Sequence, residues 1–350
     1  MAELLGRRDG ARCGGPAGRW VEATTEEELV AGVDAADQQG EPVLVLGGGS
    51  NLVVADDGFP GTVVHVATRG VVPDVDDSGD PSCSGATVTV AAGESWDDVV
   101  AQAVDRGWVG VEALSGIPGS VGATPIQNVG AYGQDVSQTV ARARVWDRKL
   151  RGIRTFAASE CQFGYRSSRF KADPGRHLVL DVTFQFRQGT LGAPVAYAEL
   201  ARTLGVAEGV RAPMADVRAA VLELRRGKGM VLDADDHDTW SAGSFFTNPF
   251  LTPDQAAALP DDAPRWEQPD GTLKSSAAWL IERAGFSKGY TSAAAGERVG
   301  LSTKHTLALT NRGDATTDEL LTLAREVRDG VRDRFGVTLV NEPVTVGCSL

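Results

Sequence analysis

The chain has 350 residues, about twice the usual length of one domain, so we expect more than one domain. Hydrophobic residues make up 42% of the chain and charged residues 23%, which excludes wholesale disorder and collagen-like structure. The net charge of −13 at pH 7 argues against a nonspecific nucleic-acid or anionic-membrane surface, so an anionic substrate would need a local cationic pocket.

The sequence lacks an apolar run of the ~20 residues that span a bilayer, and its first residues lack the apolar stretch of a signal peptide. We therefore expect a cytoplasmic protein with no membrane partner. Four cysteines are isolated in the sequence and form no CxxC pair, so we expect buried thiols rather than zinc ligands or disulfides: Cys13, Cys83, Cys161 and Cys348.

Residues 17–150 alternate short β-rich runs with helical patterns. Thr25 and Glu28 form a possible capping box, and a buried strand at 42–46 ends in a glycine cluster. Residues 70–85 are predicted to be a polar surface excursion. The other predicted elements are strands at 52–55, 62–66 and 86–92 and a helix at 96–106 capped by Ser95.

A glycine-rich stretch within this part, 107–133, has little helical or strand periodicity and is predicted to be an ordered loop. Strands follow at 142–147 and 177–186, and a domain boundary comes after the second. The last domain is predicted to contain a helix with Val217, Val221 and Leu224 on one face, a long helix from a Thr317 cap to Gly336, and a closing strand at 337–346.

Several motifs fail their physical requirements. Residues 47–52 lack the third glycine of GxGxxG and are followed by a predicted strand, and 227–229 lack the other residues of a P-loop. Ser168 and Lys171 fit SxxK without its companion motifs. The acidic run 233–238 lacks the glycine and distal glutamate of a calcium loop, so we expect a solvated loop.

Two glycine-rich loops remain, at 47–51 and 115–133. Both could place bare backbone N–H groups against phosphate oxygens, which binds an anion without net positive charge. For 47–51 a simple tight turn is an equal alternative. For 115–133 ligand binding is favoured, because Gln127 and Asn128 add amide groups beside the glycines. The pair predicts a site for a dinucleotide pyrophosphate.

Five segments, taken in order, resemble the UDP-N-acetylenolpyruvoylglucosamine reductase (UDP-N-acetylmuramate dehydrogenase) family, bacterial flavoenzymes of peptidoglycan precursor synthesis: LGGGSNLVV, GIPGSVGATPIQNVGAYG, CQFGYRSSRFK, SAGSFFTNP and NEP. The resemblance extends from about Gly14 to Val346. It implies an α+β fold with an FAD-binding domain of the vanillyl-alcohol-oxidase (PCMH) type in two subdomains, 1–66 and 67–189. An α+β substrate-binding domain, 190–350, follows. The family usually has threonine just before the segment that begins at Arg12, where this chain has Gly10 and Ala11. The first ten residues are therefore expected to pack differently or to be disordered.

The resemblance further implies FAD as cofactor and NADPH as reductant. Neither glycine loop contains His or Cys, so we expect the flavin to be non-covalent. The residues that the resemblance assigns to FAD are Gly47, Gly48, Gly49, Ser50, Asn51, Pro118, Gly119, Ser120, Gly122, Gln127, Asn128, Gly130 and Ala131.

The implied reaction reduces UDP-N-acetylglucosamine enolpyruvate to UDP-N-acetylmuramate, with hydride from flavin N5 to C3 and a proton from Ser244 to C2. The resemblance assigns Arg166 to the substrate carboxylate and Glu342 to hydrogen bonding near it. Arginine suits this role because its planar, permanently charged group matches a carboxylate. Considered alone, Ser244 would be an ordinary loop hydroxyl and Arg166 a surface charge.

Substrate contacts are implied for Tyr132, Tyr197, Lys228, Asn248 and His305. Tyr197 would place the chain in the family's longer-loop class, and Lys228 would supply local positive charge. His305 is expected to make a polar contact rather than to act as a catalytic base. The other three histidines are interpreted as structural: His65, His177 and His237.

Two further functions stay open. One is an FAD-dependent oxidase or dehydrogenase of another small molecule, which would use other substrate residues. The other is a non-catalytic flavin-binding or nucleotide-sugar-binding protein, which would not need the catalytic set. The presence of Arg166, Ser244 and Glu342 together favours the reductase. The sequence contains no motif for a metal or a dimer interface, so we expect a monomer without a metal site.

Overall fold

The structure, a computed structural model, describes residues 11–75, 85–268 and 270–350. The predictions for the first ten residues, for Cys83 and for 76–84 of the polar excursion lie outside these ranges.

The described residues form the following strands and helices. The strands are β1 (Ala17–Ala23), β2 (Val43–Leu46), β3 (Leu52–Val54), β4 (Phe59–Val66), β5 (Val71–Val75), β6 (Gly85–Ala91), β7 (Trp108–Val109), β8 (Gly130–Ala131), β9 (Gln134–Asp135), β10 (Val140–Asp147), β11 (Gly152–Ala157), β12 (His177–Gln188), β13 (Phe250–Leu251), β14 (Arg265–Glu267), β15 (Leu273–Ser275), β16 (Val299–Leu301), β17 (Leu309–Asn311) and β18 (Val344–Val346). The helices are α1 (Glu26–Gln39), α2 (Trp96–Asp105), α3 (Thr124–Gln127), α4 (Arg169–Ala172), α5 (Ala198–Leu204), α6 (Met214–Gly227), α7 (Pro253–Ala258), α8 (Ala277–Arg283) and α9 (Thr317–Phe335).

These elements belong to two compact units. Unit 1 comprises Met1–Gly18, Gly49–Phe59 and Gly227–Leu350, and unit 2 comprises Arg19–Gly48 and Pro60–Arg226. Both combine helices with mostly antiparallel strands, as expected for an α+β fold. The division into subdomains at 1–66 and 67–189 and a domain at 190–350 stays a prediction.

Unit 2 contains two main sheets. One has the strand order β1-β4-β2 with β2 and β4 parallel, and the other has the order β11-β10-β12-β6-β5 with β7 added beside β12. In β6 and β12 alternate side chains enter a common core; Val88, Val90, Phe184 and Phe186 are all buried there. Burial of this face, together with the antiparallel ladder, fixes the register of the central strands.

Helix α1 begins as predicted. Thr25 and Glu28 form the capping box, and Leu29, Val33 and Ala36 are buried on one face. Helix α2 also has Ser95 at its N-cap position, but the side chain makes no capping hydrogen bond, so that part of the prediction is wrong.

Val71–Val75, the start of the predicted excursion, lie at the surface as expected, but they form an edge strand that was not predicted and that pairs with β6. The long glycine-rich stretch is ordered, but it is more structured than a loop. It contains β7, α3 and the first strand of the β8–β9 hairpin. These elements are too short to leave a periodic pattern in the sequence.

Unit 1 is organised around α9. Its N-cap is Thr316, one residue before the predicted cap, and Thr316 forms a capping box with Glu319. The Thr317 hydroxyl instead donates to the Val54 carbonyl. Gly336 ends the helix with φ +67°, as predicted.

The closing strand is shorter than predicted. Only Val344–Val346 form it, and they pair in parallel with β3. Val337 and Leu339 are buried in the core of unit 1 without belonging to a strand, which explains the apolar pattern that suggested one. The small sheets β13-β15-β14 and β16-β17 complete this unit.

In the described ranges, no helix is both long and apolar enough to cross a membrane. Three of the predicted thiols lie in the described ranges: Cys13 and Cys161 are buried, as expected, whereas Cys348 is only partly buried.

Candidate active site

The two glycine loops approach each other within unit 2. A Cβ atom added to Gly48 would lie 2.7 Å from Cα of Gly119, and one added to Gly47 would collide with the Ser120 hydroxyl. Gly119 also has φ +113°, where a side chain would be strained. The pair of loops therefore presents bare backbone, which is the chemistry that a pyrophosphate requires. The residues present fit an FAD pyrophosphate, while the choice between ligand binding and a simple turn at 47–51 stays a prediction.

The middle of the long loop is held by the chain segment that enters α2. Trp96 donates its main-chain N–H to the Gly119 oxygen at 3.0 Å, and Gly122 donates to the Ala92 oxygen at 2.8 Å. A Cβ on Gly122 would lie 2.6 Å from Cβ of Ala92. Gly122 is therefore required by close packing between two main-chain segments.

Three charged residues that the sequence analysis missed anchor the start of this loop. Asp97 accepts the Gly116 N–H at 2.6 Å and pairs with Arg218, whose Nη1 is 2.7 Å away. The buried Arg225 donates its Nε–H to the Gly116 carbonyl at 3.2 Å.

The pKa values of Asp97 and Arg225 are shifted by burial and by the groups around them. Burial raises the pKa of Asp97, but hydrogen bonds from Arg218 and Gly116 outweigh it and lower the pKa overall. Burial lowers the pKa of Arg225. Because Arg218 and Arg225 lie in the amphipathic pattern of α6, no motif in the sequence distinguishes them from surface arginines.

The end of the same loop contacts the segment that contains Arg166. Asn128 donates its side-chain N–H to the Gly164 oxygen at 2.9 Å, and Arg166 Nη2 donates to the Gly130 oxygen at 2.8 Å. Arg166 has φ +50°, an uncommon conformation for a residue with a side chain. Lys171 Nζ donates to the Arg166 oxygen at 3.0 Å. Arg166 is therefore held beside the predicted FAD loop and is not an ordinary surface charge.

The two predicted substrate tyrosines meet in unit 2. The rings of Tyr132 and Tyr197 pack edge to face with centroids 5.5 Å apart. Tyr132 has φ +49° at the end of the long loop, and Tyr197 is 44% exposed at the N-cap of α5. Tyr197 is thus a surface residue that contacts Tyr132.

In unit 1, the remaining part of the first glycine loop lies against the residue predicted to be the catalytic glutamate. Gly49 turns the chain with φ +73°. Asn51 accepts the Val344 N–H at 2.9 Å, and its side-chain N–H donates to the Glu342 oxygen at 3.5 Å. This main-chain pairing brings Asn51 and Glu342 together, although they lie at opposite ends of the sequence.

Ser244 and Glu342 are carried by hydrogen-bonded neighbouring segments. The main-chain N–H of Glu342 donates to the Phe245 oxygen at 2.8 Å, and the Phe245 N–H donates to the Leu307 oxygen at 2.7 Å. Ser244 Oγ lies 3.5 Å from His305 Nε2. Unit 1 thus brings together three predicted site residues from distant parts of the chain.

The acidic run 233–238 is not simply a solvated loop. Asp238 accepts the Thr303 N–H at 3.0 Å and also contacts its hydroxyl, and Asp236 pairs with Lys304. The run therefore supports the segment that leads to His305. No cluster of metal-ligating side chains occurs among the residues that the structure describes.

Asn248 has a structural contact that the sequence did not indicate: its Oδ1 accepts the Ala277 N–H at 3.0 Å, at the start of α8. Lys228 lies directly after α6 and is partly buried. Gly49, Ser50, Asn51, Lys228, Ser244, Asn248, His305 and Glu342 belong to unit 1, and the other predicted site residues belong to unit 2.

The three histidines interpreted as structural have partners outside these clusters. His65 stacks on Trp20 and lies 3.3 Å from Glu22, while His237 packs on Trp240. His177 packs against Phe156, and burial lowers its pKa.

Comparison with known proteins identifies both parts of the chain. Residues 17–150 match the FAD binding domain family, and 235–346 match the UDP-N-acetylenolpyruvoylglucosamine reductase, C-terminal domain family. The UDP-N-acetylenolpyruvoylglucosamine reductase of Cutibacterium acnes is 58% identical over 97% of this chain and 88% of its own length. The enzyme of the same name from Streptomyces avermitilis is 56% identical over 97% of this chain and 92% of its own length.

A solved UDP-N-acetylenolpyruvylglucosamine reductase from Thermus caldophilus aligns with a TM-score of 0.65 and 23% identity, covering 99% of this chain and 98% of the solved one. This likeness concerns the fold. Together with the FAD-binding match, it confirms the predicted fold class, an FAD-binding domain joined to an α+β domain. The chain belongs to the UDP-N-acetylenolpyruvoylglucosamine reductase family of FAD-dependent oxidoreductases.

Proposed function

We propose that this chain reduces UDP-N-acetylglucosamine enolpyruvate to UDP-N-acetylmuramate with electrons from NADPH. The observation that carries the proposal is the hydrogen-bonded arrangement in unit 1 that joins the segments of Ser244 and Glu342 and ties Glu342 to Asn51 of the glycine loop. The names of the relatives support the same substrate.

The backbone of the two glycine loops would hold FAD non-covalently. When bound, FAD supplies the two-electron chemistry that links NADPH to the enolpyruvyl double bond. Amides near Gly47, Gly48, Gly119 and Ser120 would face the pyrophosphate, since three of these four residues carry no side chain. The other FAD residues predicted above would extend this surface.

Arg166 would pair with the substrate carboxylate. Reduction at C3 leaves negative charge shared between C2 and the carboxylate, and a permanently charged donor stabilises it. A guanidinium has five N–H donors, so one can orient the group on the Gly130 carbonyl while others bind the substrate.

Ser244 would deliver the proton to C2, and Glu342 would form a hydrogen bond near the same carboxylate. The pairing of Phe245 with Glu342 and Leu307 limits how far the serine can move, so the hydroxyl is already positioned when substrate binds. Tyr132, Tyr197, Lys228, Asn248 and His305 would contact the substrate, and Lys228 would offset the diphosphate charge. The longer-loop class, the monomeric state and the cytoplasmic location belong to the same proposal.

One anaerobic titration tests this function. NADPH should bleach the visible spectrum of the bound flavin, and UDP-N-acetylglucosamine enolpyruvate should then restore it. A flavin that bleaches but is not restored contradicts the reductase and favours an oxidase or dehydrogenase of another substrate. Protein that contains no flavin and cannot be loaded with FAD contradicts the assignment of both glycine loops.

A further inference from the structure

Ser244 and His305 form a side-chain pair whose chemistry the proposed function does not yet use. Ser244 Oγ and His305 Nε2 are 3.5 Å apart, and both residues are partly buried. This distance is at the outer limit of a hydrogen bond, and such contacts often tighten when substrate binds. We infer that His305 is a positioning residue that donates its Nε2–H to Ser244 Oγ during proton transfer, an inference that rests on the proposed function.

The donated hydrogen bond would act on the oxygen that loses its proton. A serine hydroxyl has one proton and two lone pairs, so an N–H bound to one lone pair directs the hydroxyl proton away from the imidazole. In the transfer, the Ser244 O–H bond breaks, a C–H bond forms at C2, and the O–H electron pair stays on Oγ. The Nε2–H then stabilises the negative oxygen until water reprotonates it.

The backbone around His305 is held from several directions. Ser302 Oγ accepts the His305 N–H at 3.2 Å and the Lys304 N–H at 3.0 Å, and Ser302 is fully buried. The Asp238 carboxylate accepts hydrogen bonds from the main-chain N–H and the hydroxyl of Thr303. The main chain that carries the imidazole of His305 is therefore held in place by these hydrogen bonds.

The serine side of the pair is equally constrained. The main chain of Phe245 bonds to Leu307 on one side and to Glu342 on the other. The distance between Ser244 and His305 is thus set by main-chain bonds that do not involve either side chain. A substitution at 305 can remove the N–H donor while these bonds remain.

Three variants of His305 test whether it acts as a hydrogen-bond donor or only through packing. H305A removes the donor, H305Q keeps an N–H donor of similar reach, and H305N keeps an N–H group on a shorter side chain. The control, H65Q, changes a histidine in unit 2 that lies beside Trp20 and Glu22. Each protein is reduced with NADPH without oxygen and then mixed with UDP-N-acetylglucosamine enolpyruvate, while flavin absorbance reports both half-reactions.

We expect flavin reduction to be unchanged in all four variants. Restoration by substrate should slow by about 100-fold in H305A and H305N, the loss typical of removing one donor to a developing oxyanion. H305Q and H65Q should stay close to the unmodified rate. The double variant S244A/H305A should be no slower than S244A, because the two residues act as one unit.

The inference is overturned if H305A restores the flavin at the unmodified rate, or if H305Q is as slow as H305A. It is also overturned if the two losses multiply in the double variant. Normal flavin content and normal reduction by NADPH show that each variant is folded. If the unmodified protein itself is not restored by substrate, the proposed function fails, which is a separate outcome.

Discussion

The main-chain N–H of Glu342 donates a 2.8 Å hydrogen bond to the main-chain oxygen of Phe245, the residue that follows Ser244. Phe246 and Asn341 form the adjoining antiparallel bridge. Two segments far apart in sequence are thereby held together by main-chain hydrogen bonds that do not use the side chains of Ser244 and Glu342. If Ser244 and Glu342 have the proposed roles, this arrangement reduces the rearrangement that the reaction needs.

Ser244 should be required for only one half-reaction. We expect S244A to lower the rate of flavin restoration by substrate by about 10²-fold or more, the usual contribution of a positioned acid. Reduction of the flavin by NADPH should be unchanged, and so should both steps in the control S287A, which alters an exposed serine of the same unit. Stopped-flow absorbance measures the two steps separately. Equal loss of both would contradict the assigned role.

Gly48 should be needed for FAD binding because its bare backbone faces Gly119. A Cβ at 48 would lie 2.7 Å from Cα of Gly119, and overpacking of this kind costs about 1–3 kcal/mol. We therefore expect G48A to be purified with less flavin and to bind added FAD more weakly. The control is G152A, where the nearest atom to a new Cβ is 3.9 Å away. Equal flavin content in G48A and G152A would argue against the pyrophosphate site.

Arg166 should not be replaceable by lysine. R166K keeps the positive charge but loses the planar group that can bond the Gly130 carbonyl and a carboxylate together. We expect kcat/KM for the enolpyruvyl substrate to fall by about tenfold or more, since a hydrogen bond to a charged group contributes about 1.5–3 kcal/mol. R151K is the matched control, because Arg151 also has positive φ and pairs with Asp34. Steady-state kinetics measure kcat/KM for both variants. Similar values of kcat/KM for R166K and R151K would contradict the assignment of Arg166 to the site.

Asp147 should make the protein sensitive to acid. Hydrogen bonds from Arg176 lower the pKa of this buried carboxyl from 3.8 to about 2. The folded state therefore gains stability above the unfolded pKa and loses it as the pH falls from about 4 towards 2. A pKa shift of this size corresponds to roughly 2 kcal/mol of stability. We therefore expect D147N to lower the free energy of unfolding by that amount at pH 7 and by less near pH 3.

Urea unfolding followed by circular dichroism at pH 7 and pH 3 measures this difference. D34N provides the control, because Asp34 pairs with the largely exposed Arg151 and such pairs contribute little. A D147N variant with the same pH dependence as the unmodified protein would contradict the prediction.

The sequence by itself determined the family, the fold class and several elements. The capping box at Thr25 and Glu28, the stop at Gly336 and the apolar periodicity of α1 and α9 are local signals, and they place these helices nearly to the residue. The family segments are also local, so each predicted site residue could be named without knowing its neighbours in space.

Only the tertiary structure decided what those residues touch. The contact of Gly48 with Gly119, the anchoring of Gly116 by Asp97 and Arg225, and the support of the His305 segment by Asp236 and Asp238 all join distant parts of the chain. Local patterns do not encode them, because hydrogen bonds and close packing depend on which segments meet in space.

The errors in the predicted elements have the same cause. Val71–Val75 became a strand because β6 offered an edge, and Val337 and Leu339 became core residues without a strand partner. At 337–339 the apolar pattern was interpreted correctly, whereas the polar excursion predicted from residue 70 overlooked three valines in 71–75. The tertiary fold decided which segment forms hydrogen bonds with the backbone of each of these residues. A strand forms only where a neighbouring strand can pair with its N–H and C=O groups.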